Sequence, residues 1–311
     1  MHKLAHFIMH SKAAAYIAAL LCVGIWVLYH IKQGENIDVS GGVGLLSCVI
    51  AGYLSVKAGR EFSFVEIRNA FSATIFFLGC AIAPQVIPKG VEGAHLILFS
   101  VACYLLLHTY RDRSAMGRYF LAFSLIGVEC LLYPPLLLVL PWIVLCGAFM
   151  ESLHVRTLFA ALWGLLAPYW VIGSVMFITG RTALVTAYFD QLFPAMFVVD
   201  PLRDAPQLCA QLVWTLLLAL PSSIAISFDR TMKLQISAGI RLLIVALAIQ
   251  LVGIALYPLF YQTLSPCVLL YVSLIVPTFF VRNGTRAKNI YLVMLLALWA
   301  LILGSIYASV Y

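Results

Sequence analysis

The sequence predicts an all-α, polytopic membrane protein, and two observations predict it. Hydrophobic residues make up 64% of the 311-residue chain and charged residues only 10%, whereas a soluble domain averages about 45–50% apolar and about 25% charged. The apolar residues also fall into long runs separated by short polar stretches, at the length of about 20 residues that a helix needs to cross a bilayer. With 19 basic and 12 acidic residues there is too little charge to solvate a protein of this length. Most of the surface must therefore face lipid, and the spanning elements must be helices that satisfy their own backbone groups. The chain reads as a single integral membrane domain, 1–311. Its short loops leave no room for a soluble catalytic or nucleotide-binding domain, and none carries the Walker A pattern of an ATPase.

Taken in order, the runs place eleven spans at 13–31, 39–56, 70–87, 94–110, 117–132, 135–150, 157–179, 208–226, 239–257, 264–281 and 289–309. The first follows Lys3 and Lys12 and is too long for a signal-peptide core; no small-residue cleavage site follows it, so it reads as a retained helix. The second opens after Glu35 and Asp38 with Ser40-Gly41-Gly42-Val43-Gly44, glycines that suit close helix packing better than phosphate binding. Arg68 and Lys89 bound the third span, Glu92 and Arg111 the fourth. Arg118 and the turn Tyr133-Pro134-Pro135 bound the fifth, and that turn and Glu151 the sixth. The seventh lies between Arg156 and Arg181. The eighth follows the longest loop, 180–207, and ends near Arg230. The ninth starts near Arg241, the tenth lies between Tyr257-Pro258 and Arg282, and the last follows Lys288.

Charge sets the orientation. With the N-terminus cytoplasmic, the inner side collects Lys3, Lys12, Lys57, Arg60, Arg68, Arg111, Arg113, Arg118, Arg156, Arg230, Lys233, Arg241, Arg282, Arg286 and Lys288, and the outer side only Lys32, Lys89, Arg181 and Arg203. Fifteen against four is the positive-inside asymmetry, and eleven spans then put the C-terminus outside. The net charge of +7 follows from this asymmetry, and no basic surface with interleaved aromatics points to nucleic acid. The eight cysteines contain no CxxC pair and read as buried small hydrophobes. His95 and His108 on one span, and His30 and His154 at span ends, form no metal-ligand spacing. His2, His6 and His10 have one, but a basic interfacial turn is the favoured reading of that segment. Neither a metal nor a cofactor is expected.

The outer side holds the candidate chemistry. The long loop repeats Val185, Tyr188 or Phe189, Leu192 and Met196 at helical spacing, as in an interfacial amphipathic segment that Pro194 would kink. Asp190, Asp200, Arg203 and Asp204 punctuate it. Two readings stand for this loop: one that packs on the helix ends, or a roof in which Arg181 or Arg203 grips a phosphate and an Asp serves as base. Glu129 is the one acidic residue placed inside a span, where a carboxyl faces a cavity or a partner. It lies about 6 Å below Tyr133 at about 1.5 Å per residue, so it reads either as a carboxyl hydrogen-bonded to Tyr133 or as a substrate or proton site. Leu132-Tyr133-Pro134 and Leu256-Tyr257-Pro258 echo one another and suggest a parallel repeat of the kind found in transporters.

The stretch Arg118–Trp170, RYFLAFSLIGVECLLYPPLLLVLPWIVLCGAFMESLHVRTLFAALWGLLAPYW, combines Gly127, the Tyr-Pro-Pro turn, Pro141-Trp142, Arg156 and a Gly164-to-Tyr169 segment. It resembles an uncharacterised family of multi-span inner-membrane proteins from Bacteroidota, which implies a bacterial inner-membrane location. More distantly it is similar to polytopic glycosyltransferases that use polyprenyl-phosphate-linked sugars, with their glycine-bearing helix, proline turn and leucine-rich helix ending in proline. That similarity implies catalytic acids in the first outer loop, where Glu35 and Asp38 stand. The leading expectation is therefore a protein of envelope glycan or lipid-linked sugar metabolism working at the outer face. Asp38 or Asp190 would be the base, Arg181 or Arg203 would hold phosphate, and Glu129 and Tyr133 would line the cavity. A transporter or lipid flippase using Glu129, and a non-catalytic membrane subunit or scaffold, are the alternatives.

Overall fold

The computed structural model describes residues 6–9, 11–33, 39–62, 70–112, 114–132, 148–152, 154–181, 188, 206–229, 232–256, 261–281 and 286–308. Among these there is no strand. Ten α-helices carry the chain: α1 Lys12–Gln33, α2 Val39–Glu61, α3 Phe71–Ile82, α4 Val91–Leu107, α5 Met116–Leu132, α6 Val155–Ile178, α7 Pro206–Ser227, α8 Leu234–Leu256, α9 Tyr261–Val281 and α10 Arg286–Ala308. Seven of them (α1, α2 and α6 to α10) are long and apolar enough to cross a membrane. The protein is thus all-helical with the composition of a membrane protein. Most of the sixth expected span, 135–150, lies outside the described residues.

The third expected span departs from a continuous helix. α3 stops at Ile82 and a 3-10 turn, Pro84–Val86, takes over. Pro84 has no N–H and disfavours helical backbone at the residue before it, and Ala83 adopts φ −128°, ψ 84°. The last carbonyls of α3 then lack helical partners. One of them, Gly79 O, accepts a hydrogen bond from Gln211 Nε2 of α7 at 3.1 Å.

α9 is the hub of the bundle, 94% buried over its span. It packs against α2, α3, α4, α7 and α8, and α3 beside it has no exposed residue. Contacts fix the relative directions. Phe71 meets Phe280 edge-on and a side chain on Gly79 would meet Leu269, so α3 and α9 are antiparallel. His95 lies by Cys267 and Phe99 by Tyr271, so α4 and α9 are parallel. α4 and α5 are antiparallel, with His95 near Glu129 and Thr109 near Tyr119.

α5 and α6 pack in parallel through glycines. A Cβ on Gly164 would strike the Phe120 carbonyl, and one on Gly127 would come within 2.6 Å of the Leu165 carbonyl. Such positions let helix backbones approach where side chains would hold them apart. The glycine run of α2 serves packing too, as the sequence suggested: a side chain on Gly41 would strike Trp26, and one on Gly44 the Pro88 carbonyl. One proline inside a helix is compensated. Pro221 of α7 leaves the Leu217 carbonyl without its i+4 donor, and the Tyr291 hydroxyl of α10 donates to that carbonyl instead.

The cysteines follow the expectation with one correction. Cys22, Cys48, Cys80, Cys130 and Cys267 are buried free thiols and Cys103 is half-buried, but Cys209, in the first turn of α7, is exposed. Cys146 lies outside the described residues. At the end where α4 finishes, Glu61 of α2 accepts from the Tyr104 hydroxyl and sits 3.0 Å from His108 Nε2. Arg111 pairs with Glu151 at 2.6 Å and Arg118 with Asp112 at 3.2 Å.

Candidate functional site

At the opposite end of the bundle, α4, α5 and α9 each contribute one polar side chain to a buried line. Glu129 Oε2 of α5 lies 3.5 Å from His95 Nδ1 of α4. On the other edge of the same ring, His95 Nε2 lies 3.5 Å from Cys267 Sγ of α9. All three are buried, none with more than 1% exposure. The imidazole thus lies between a carboxyl and a thiol, each nearest a different ring nitrogen. Carboxyl and thiol lie on opposite sides of the ring and do not converge on a common point. Among the described residues no three His, Cys, Asp or Glu side chains are grouped to hold a metal ion.

Glu129 makes no hydrogen bond through Oε1 among the described residues. A buried carboxyl oxygen left this way is costly in hydrocarbon, which marks such residues for function. Gln211 provides the contrast within the same bundle. Its Nε2 donates to Gly79 O and its Oε1 accepts from Ser265 Oγ at 3.0 Å; the Tyr261 hydroxyl shares its one proton between Oε1 at 3.2 Å and the nearer Leu208 carbonyl at 2.9 Å. That network ties α7, α9 and α3 together.

The long loop reaches this end of α5. The Tyr188 hydroxyl donates to the carbonyl of Cys130, the residue after Glu129, at 2.8 Å. It also lies 2.9 Å from the Tyr169 hydroxyl of α6. Since the Cys130 carbonyl takes the Tyr188 proton, Tyr169 is the donor in the second bond. Tyr188 thus ties to both α5 and α6, at the residue that follows Glu129 in the chain. Arg181 stands at the start of the same loop, exposed. It follows a helix end closed by Gly180 at φ +68°, with Gly180 N–H donating to Phe177 O and Arg181 N–H to Met176 O, the bond pattern of a Schellman cap.

Of the residues singled out from sequence, Glu129 and Arg181 are placed here. Glu35, Asp38, Tyr133, Asp190 and Arg203 lie outside the described residues. His95 and Cys267 belong to the site and were not assigned to it from sequence, where His95 was weighed only as a metal ligand beside His108. A usable signal was present. His95 is four residues inside the start of α4 and Glu129 three before the end of α5. Consecutive antiparallel helices put such positions at equal depth, about 5 Å in at about 1.5 Å per residue.

Comparison with protein-family models, with curated proteins and with solved structures finds no match to this chain.

Proposed function

We propose that the chain is an eleven-span protein of a bacterial inner membrane, with its N-terminus cytoplasmic and its C-terminus outside, that transfers a sugar from a polyprenyl-phosphate carrier at the outer face. The span count is supported by the packing directions, which alternate as eleven crossings require. The parallel contact of α5 with α6 in particular calls for a return crossing between them. The orientation is supported by the distribution of basic residues along the sequence.

One observation carries the functional reading. The loop is fastened by Tyr188 to the Cys130 carbonyl, one residue from a buried Glu129–His95 pair, and begins with an exposed arginine. In this reading Arg181, with Arg203, holds the carrier phosphate by charge-assisted hydrogen bonds. Asp190, two residues after Tyr188, or Asp38 takes the proton of the acceptor hydroxyl as its oxygen attacks the anomeric carbon, and the polyprenyl phosphate leaves with the electron pair of the broken bond. Glu35 and Tyr133 contact the acceptor, and Glu129 with His95 forms the floor of the site.

The test is native mass spectrometry of the protein extracted gently from its own membrane, followed by glycan profiling of Asp38→Ala, Asp190→Ala and Glu129→Gln strains. A retained polyprenyl phosphate and a lost glycan in at least one variant are expected. Unchanged glycans in all three would sink the reading.

A second reading, a proton-coupled carrier, draws on the Glu129 oxygen with no hydrogen bond among the described residues. It calls for Glu129 to line a water-filled path, and the 1% exposure of this residue weighs against that. In liposomes, a substrate flux driven by a pH gradient and abolished by Glu129→Gln would reverse the order of the two readings.

A further inference from the structure

The line Glu129–His95–Cys267 holds a thiol that the function above leaves unused. Cys267 Sγ of α9 lies 3.5 Å from His95 Nε2, and Glu129 Oε2 lies 3.5 Å from the other ring nitrogen, Nδ1. Thiol, imidazole and carboxyl in that order, one at each edge of the ring, is the arrangement of a nucleophile, its base and the group that orients the base. With its proton on Nδ1, toward the carboxyl, the neutral ring presents the lone pair of Nε2 to the S–H. Such separations are looser in a resting site than in the reacting complex. A fourth group completes the surroundings of the sulfur. The side-chain amide of Gln250 on α8 hydrogen-bonds to it, and the same amide donates through Nε2 to Leu264 O at 3.3 Å. Cys80 of α3 is the contrast: buried to the same degree, it lies among the thiols of Cys48 and Cys22.

We propose that Cys267 is the nucleophile of an acyl-transfer site, taking a fatty acyl chain from an ester or thioester donor as a covalent thioester. As the sulfur attacks the carbonyl carbon, its proton passes to His95 Nε2 and the carbonyl π electrons move to oxygen, beside the Gln250 amide. The C–O or C–S bond of the donor then breaks, and the leaving oxygen or sulfur keeps the electron pair and takes the proton from His95. An acceptor hydroxyl completes the cycle along the reverse path: it gives its proton to His95 and takes the acyl group, and the thiol recovers the proton. Glu129 touches neither the sulfur nor the acyl group and is a positioning residue that acts through the ring. Location sets the substrate class. The three residues lie four positions into α4, three before the end of α5 and six into α9. They are thus within about 9 Å of the helix ends at about 1.5 Å per residue, inside an apolar bundle whose ends meet the interfacial zone where lipids carry their acyl esters. None has more than 1% exposure, which keeps water from the thioester; the chain reaches the sulfur as the helices part. The inference goes beyond sugar transfer and does not rest on it.

The experiment uses the full-length protein in vesicles of phosphatidylethanolamine and phosphatidylglycerol. One arm carries a trace of phosphatidylethanolamine with an alkyne-tagged acyl chain, and the other is given a soluble thioester of the same tagged acid. Peptide mapping should find a hydroxylamine-labile tag on Cys267 in at least one arm, and the arm shows whether the donor is a membrane lipid or a soluble carrier. Cys267→Ser keeps the size of the side chain and should lose the labile adduct. His95→Gln should slow capture about a hundredfold, the worth of a general base, and Glu129→Gln at least about tenfold. Alkylation by a maleimide on an alkyl chain separates chemistry from packing: a loosened bundle raises the reaction of Cys267 and Cys80 together, whereas loss of the base lowers that of Cys267 alone. Three results would overturn the proposal: no tag on Cys267 in either arm, equal tagging of Cys80, or a Cys267-to-Cys80 alkylation ratio unchanged in both the His95 and Glu129 variants. A tag on Cys267 with unchanged glycans in the Asp38, Asp190 and Glu129 variants would leave the acyl site standing and remove the transferase reading, and lost glycans with no tag would do the reverse.

Discussion

Gln211 and Glu129 are both buried polar side chains of one bundle, and their surroundings assign them different roles. Gln211 is hydrogen-bonded at both ends of its amide. Gln211→Leu strands the Ser265 hydroxyl and the Gly79 carbonyl, and should cost about 2–4 kcal/mol, read as a lowered midpoint of thermal unfolding in detergent. Glu129 has the imidazole of His95 at 3.5 Å. Glu129→Gln keeps the shape of the side chain and a polar group facing His95, so its cost should stay within about 1 kcal/mol. His95→Ala leaves the carboxyl facing a void, and should cost about 2–4 kcal/mol. The opposite ranking of these two variants would mean that the pair is not the unit described above. Sequence alone singled out Glu129, because a carboxyl in an apolar run stands out. It did not pair that carboxyl with His95, because partnership depends on which helix faces meet.

The helix pair α5–α6 and the turn between α4 and α5 show what sequence encodes at the next scale. Gly164 faces the Phe120 backbone and Gly173, on the same helix, faces nothing. Gly164→Ala should destabilise the protein by about 1–3 kcal/mol, because a carbonyl cannot rotate out of the way as a side chain can. Gly173→Ala should leave it unchanged or gain about 0.5–1 kcal/mol from helix propensity; equal effects would contradict the close approach of the two helices. In the α4–α5 turn, the Ser114 hydroxyl and backbone N–H donate to Asp112, and together with Arg118 they hold its carboxyl below the ordinary range. A carboxyl lowered on folding adds stability above its unfolded pKa, about 3.9, and that stability is lost as the pH falls through the folded value. Asp112→Asn should flatten this acid limb of the stability curve, as measured by unfolding between neutral pH and the acid range. The turn residues were visible in the sequence as polar punctuation. The break of α3 at Ile82 follows from Pro84, although hydropathy ran the third span on to 87.

Across the whole molecule, the alternation of helix directions predicts which loops share a side. Single cysteines placed at 33–38, 88–90 and 180–207 in a cysteine-free background should react with an impermeant maleimide added outside intact cells. Cysteines at 110–115, 150–154 and 228–233 should react only after permeabilisation. A loop on the wrong side would break the eleven-span count at that point.

Helical class, membrane composition, the approximate ends of most helices and the charge asymmetry were determined by the sequence itself. Each depends on local residue counts, which a bilayer reads directly: about 20 apolar residues span it whatever they later touch. The tertiary structure decided which helix is central. α9 and α10 have the same mean hydropathy, yet 94% of one span is buried and only 11% of the other. Hydropathy cannot tell them apart, because lipid tails are as apolar as a protein interior and exert no preference between them. What separates them is packing: the glycines, the Gln211 network and the meeting of His95 with Glu129 and Cys267 are relations between distant parts of the chain, and they exist only once the helices are assembled.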